Sequence, residues 1–122
     1  MPREPDPLTL SAVVRRAAEV VDPEGEDRAV GALEQHFEDD DEPITAVNTL
    51  ELRLATAAEE VDVDVEDPAV SMAVATVLYL AHRRDEFEAP ADDILRLAAR
   101  AEWKGDPPDV VTTWLAARGV EV

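Results

Sequence analysis

Apolar residues recur along this chain at helical spacing in six separate stretches. Leu10, Val13, Val14, Ala17 and Val21 fall on one face of a helix over 9–21, which Pro23 stops. A second helix starts near Glu26, with acids at its positive end, and carries the stripe Ala29, Val30, Leu33 and Phe37. A third is predicted over 43–61, opened by Pro43, with Val47, Leu50, Leu54, Ala57, Ala58 and Val61 along one seam. The alternation at 61–65 looks like a strand but has no partner to pair with, so it predicts an extended linker.

Asp67-Pro68 signals the start of the fourth helix, which runs to about Arg84. Between Ala69 and Ala81 only Ser71 and Thr76 are polar. A helix apolar on every side must be surrounded by protein, and this one is far too short to cross a bilayer. It is expected at the centre of the domain. The fifth helix opens at Pro90, buries Ile94, Leu95, Leu97, Ala98 and Ala101, and ends at Gly105. Asp106-Pro107 starts the sixth, which turns Val110, Val111, Trp114 and Leu115 inward and runs to Arg118, with Gly119 as a left-handed terminator. The expectation is an all-α, single-domain bundle of about six helices over 9–122. The three prolines in 1–8 imply a flexible arm.

Composition changes this picture in two ways. Of the apolar residues, 20 are Ala and 16 are Val, so the core is built from small side chains and the helices must pack closely. The net charge is -18, from 29 acids and 11 bases, and only Lys104 among those bases is a lysine. A folded chain of 13.3 kDa exposes about 6,400 Å², or one net negative charge per ~360 Å². That density repels itself in dilute buffer, and molar salt screens it. Such a composition suits the cytoplasm of a salt-in halophile, foremost a halophilic archaeon. Acidity is then an adaptation to brine before it is a sign of DNA mimicry or calcium storage. No transmembrane run or secretory signal is seen, and a cytoplasmic location is expected.

The charge is unevenly placed. Residues 1–93 hold 25 acids and 7 bases, while residues 94–122 hold 4 of each. Arg96, Arg100 and Lys104 share one face of the fifth helix as a basic stripe. It can be a contact surface for phosphate or an acidic partner, or a set of internal ion pairs. Trp103 and Trp114 are candidate anchors if exposed, since Trp dominates binding hot spots, and core fillers if not. Arg83 and Arg84 suit the dipole at the end of the fourth helix.

Chemistry is harder to find. Without Cys there is no disulfide, thiolate nucleophile or Cys-based zinc site. No Gly-rich phosphate loop or His-Glu-x-x-His pattern occurs. Asp62, Asp64 and Glu66 are spaced like calcium-loop ligands, but Asp67 and Ala73 stand where such a loop needs Gly and Glu. The acid run 38–42 is expected to be solvated surface. His36 and His82 read as helix-boundary residues, and Ser11 and Ser71 as capping or packing residues. No catalytic residue, metal or cofactor is expected.

The segments VATVLYLAHRR, PADDILRLAAR and PPDVVTTWLAARGVEV resemble a cyclin-box repeat of archaeal transcription factor B. Leu78, Tyr79, Ala81 and Arg83 match the end of that repeat's central helix. Pro90, Asp93 and Ile94 match the following loop and helix start, and Trp114, Leu115 and Arg118 sit in the closing helix. The resemblance spans about residues 26–118 and implies a cyclin-like bundle around 69–84. The family carries two repeats and a zinc ribbon; this chain has room for one repeat and no cysteine. The expected function is a small non-enzymatic interaction protein, a transcription accessory, that binds a protein partner or itself through the last two helices. The alternatives are a DNA-associated regulator using those helices as a helix-turn-helix, and an enzyme or ligand-binding bundle with an unrecognised site.

Overall fold

Thr9 caps the first helix. Its hydroxyl accepts a hydrogen bond from the Ala12 N–H at 3.2 Å and starts α1, Leu10–Val21. The computed structural model describes residues 9–40, 42–43, 49–61 and 68–120; the arm 1–8 and the linker 62–67 lie outside them. The Asp22 carboxylate closes α1 into the next turn by accepting from the N–H groups of Glu26 (3.0 Å) and Asp27 (2.8 Å). Gly25, at φ 67°, supplies the left-handed step of that turn. Asp27 then caps α2, Arg28–His36, by accepting from the Val30 N–H at 3.0 Å.

The third helix begins later than its sequence pattern predicts. α3 spans Leu50–Val61, and Pro43 is not helical. It forms an isolated bridge with Thr9, while the Leu10 and Ser11 N–H groups donate to the carbonyls of Glu42 (2.9 Å) and Asp40 (3.0 Å). The first turn of α1 has donors with no partner inside the helix, and the carbonyls of Asp40 and Glu42 satisfy two of them. Val47 lies outside the described residues. The acid run is therefore more than solvated surface. Arg53 of α3 donates to the carboxylates of Asp40 and Glu42, the latter at 2.8 Å, and lies over the Phe37 ring at 6.0 Å. The hydrogen bond to Asp40, above all, raises the Arg53 pKa against the desolvation that lowers it.

α4, Pro68–His82, is the central helix, and α1, α2, α3, α5 and α6 all pack on it. Met72, Ala73, Val77 and Leu80 are all but inaccessible. Thr76 is the one buried polar residue among those described, and its hydroxyl donates to the Met72 carbonyl at 2.6 Å. The helix ends two residues before the expected Arg84, which instead begins a 3₁₀ turn, Arg84–Glu86. Arg83 donates to Asp85 and Glu86 across that turn. Arg16 of α1 pins the next stretch, donating to the carbonyls of Phe87 (3.0 Å) and Ala89 (2.9 Å).

α5, Ala91–Trp103, buries Ile94, Leu95, Ala98 and Ala99. Ala101, expected inside, is exposed. Lys104 (φ 53°) and Gly105 (φ 85°) both turn left-handed and stop the helix. α6, Asp109–Ala117, starts two residues after the predicted Pro107, because Pro108 forces the residue before it out of helical geometry. Gly119 terminates the closing turn at φ 76°, with the Val120 N–H donating to the Leu115 carbonyl at 3.0 Å. The molecule is all-α; the described residues form six helices around one continuous apolar core and contain no sheet. No helix among them is long and apolar enough to cross a membrane.

Candidate functional site

The structure divides the basic stripe of α5. Arg96 is half-buried and donates to the Asp93 carboxylate at 2.8 Å, one turn back on its own helix. Arg100 and Lys104 are exposed and have no acidic partner among the described residues. The internal-pair reading thus holds for Arg96 alone.

Neither tryptophan is fully buried. Trp103, the last residue of α5, packs on the core and closes one end of a recess of about 310 Å³ lined also by Ala55, Ala58, Val70 and Val74. Trp114 packs on the core from α6, and the Arg118 guanidinium lies 4.1 Å from its ring centroid, a cation–π contact. Val110, expected inside, is 45% exposed. Val110, Trp114 and Arg118 are four residues apart, so they form one outward stripe of α6, while Val111 and Leu115 face the core. That spacing was legible in the sequence. Its direction was not, because Val110 and Val111 are the same residue type and only packing chooses between them.

The candidate site thus comprises an apolar, cation-flanked stripe on α6 and two free cations on α5, joined by the short connection 104–108. A recess of about 450 Å³ lies beside this connection, between Pro107 and Leu115. A further recess of about 450 Å³ on α4 is lined by Glu51, Leu78, Tyr79, His82, Ala101 and Glu102. His82 is exposed at the end of α4, and the His36 ring lies edge-on to Phe37 with Nδ1 3.6 Å from the Glu60 carboxylate. Among the described residues no three His, Asp or Glu side chains gather as a metal site, and Asp62, Asp64 and Glu66 lie outside them.

Tyr79, the only tyrosine, has a phenol held above its ordinary range, first by burial and then by the nearby charge of Glu86, with Arg83 opposing. A folded-state pKa above the unfolded one gives stability that is complete below the unfolded value. It is lost as pH rises through the folded value. Phenolate absorbance in the folded protein should therefore titrate above about 10, and in denaturant should return to about 10. Equal midpoints in the two states would contradict the burial of this ring.

Against models of known families, curated proteins and solved structures, the chain shows no match.

Proposed function

We propose that this protein is a small non-enzymatic interaction module adapted to brine, which docks a protein partner through the outward surface of α5 and α6. One observation carries this: the stripe of exposed Val110, partly buried Trp114 and exposed Arg118 lies in the charge-balanced end of an otherwise strongly acidic chain. In molar salt the Debye length is about 3 Å, so long-range steering is lost and recognition rests on contact. Trp and Arg are both enriched among the residues that carry binding energy at interfaces, and a partly exposed Trp114 can be desolvated further by a partner. The free cations Arg100 and Lys104 extend the surface toward an acidic partner, which is the usual kind in such a cytoplasm. The cyclin-box resemblance, spread over residues 26–118, suggests a partner in the transcription machinery.

DNA is the weaker candidate. Affinity for DNA falls steeply with salt and scales with the number of phosphates neutralised, and the chain has 11 cations in all. The test is affinity capture from a haloarchaeal extract in about 3 M KCl, where only contact interactions persist. Wild type should retain a discrete partner, and Val110→Asp and Arg100→Glu should each lose it. Arg15→Glu, an exposed change on α1, should keep it. Equal retention by all variants, or none by wild type, would overturn the proposal, as would a duplex-DNA shift abolished by Arg100→Glu.

A further inference from the structure

A second surface is built on the opposite idea, an acidic furrow. α3 and α5 flank α4 on one side and leave a channel between them. Its two lobes, of about 310 and 450 Å³, follow one another along α4 and share Glu102. The floor runs from Val70 through Val74 and Leu78 to His82, about 18 Å at 1.5 Å per residue. The walls carry three alanines, Ala55 and Ala58 from α3 and Ala101 from α5, with Trp103 of α5 beside the first lobe. Above them stand three glutamates, Glu51 and Glu59 on one rim and Glu102 on the other. None of the three has a cationic partner among the described residues. The one arginine at the mouth, Arg83, is already held by Asp85 and Glu86.

This shape selects its occupant. A floor of about 18 Å, apolar at Val70, Val74, Ala75 and Leu78, matches the length of about three turns of helix. A helix lying there brings its flanks against carboxylates on both rims. If those flanks were neutral or acidic, the glutamates would be desolvated without a counter-charge, which is costly. Arginines or lysines at the flanks would pair with them instead. Contact pairs at about 3 Å lie within the Debye length even in molar salt, so this selectivity survives brine. We propose that the α3–α5 furrow docks a basic amphipathic helix of a partner protein. This rests on the chain being an interaction module but not on the α6 stripe, so the two surfaces fail or stand separately.

The probe is an alanine-based synthetic peptide of about fourteen residues, with leucines along one helical face and lysines beside them. It is titrated in about 2 M KCl, where diffuse attraction to the acidic molecule is screened. In a Trp114→Phe protein, Trp103 is the only indole, and its emission should shift blue with saturation at one peptide per chain. Calorimetry on the wild-type chain gives the same affinity should that substitution disturb the fold. Ala101→Phe fills the channel from an exposed position, and Glu59→Lys with Glu102→Lys reverses the rims. Each is expected to weaken binding about tenfold or more, while Val110→Asp leaves it unchanged. The matching peptide with glutamates in place of lysines should bind at least about tenfold more weakly. Binding indifferent to Ala101→Phe, to the rim reversal, or to the peptide's charge would overturn the proposal, and so would binding that leaves Trp103 emission unchanged. If the peptide fails while capture still depends on Val110, the furrow alone is refuted. If the peptide binds as expected and capture ignores Val110, the α6 surface alone is refuted.

Discussion

Transferred from about 3 M to 0.1 M KCl, the protein should lose its helical circular dichroism progressively as KCl falls below about 1 M and screening weakens. The magnitude follows from the charge. Eighteen uncompensated negative charges make about 150 repelling pairs. At a typical 20 Å separation in water each pair costs about 0.2 kcal/mol unscreened. With a Debye length of about 10 Å at 0.1 M, roughly a seventh of that survives, or several kcal/mol in total. The unfolded chain repels itself less because it is more extended. Net stabilities of about 5–15 kcal/mol are typical, and a core dominated by Ala and Val belongs at the lower end of that range. The repulsion is thus comparable with the whole margin. Internal pairing offsets little of it: the cations Arg16, Arg53, Arg83 and Arg96 hold their acids at the surface, where such pairs are weak. Full helicity and a high melting temperature in about 10 mM salt would refute this account.

The features legible in advance were those written in local chemistry. The start of α1 was placed within one residue, although Thr9 caps the helix rather than opening it, and Gly119 ends the closing turn of α6 through its own backbone preference. The centrality of α4 was legible because no face of it is polar enough for water. Long-range matters were not. Nothing near Pro43 announces that the first N–H groups of α1 take the carbonyls of Asp40 and Glu42, or that Pro43 itself bridges to Thr9 rather than opening a helix. Alanine is the other source of error. On α5, Ala98 and Ala99 are buried and Ala101 is not, yet all three look alike to a periodicity argument. Ala58 and Ala101, which the sequence pattern assigns to the core, also line the recesses between α3 and α5. On the site itself, the stripe Arg96, Arg100 and Lys104 was visible from spacing alone. Only the geometry separates Arg96, engaged by Asp93, from the two cations left free.

The other large effect is expected inside α4. Leu80→Ala should cost about 3–4 kcal/mol in chemical denaturation at high KCl. Leu80 is wholly inaccessible and belongs to the helix on which α1, α2, α3, α5 and α6 all pack. Removing its branched end deletes apolar burial and leaves a void. Collapse of that void is hindered because the neighbouring helices already sit close on short side chains such as Ala69, Ala73 and Val77. Thr76→Val on the same helix is the control. It keeps the volume and removes a hydroxyl whose only partner is a carbonyl one turn back, so the change should stay within about 1 kcal/mol. The two large predictions are also coupled. If salt acts by screening repulsion against a small hydrophobic surplus, then reducing the surplus must raise the salt needed to fold. Leu80→Ala should therefore move the KCl midpoint upward, well beyond that of Thr76→Val. A stability loss under about 1.5 kcal/mol, or an unmoved midpoint despite a large loss, would mean that α4 is not the element on which the brine-dependent fold is balanced.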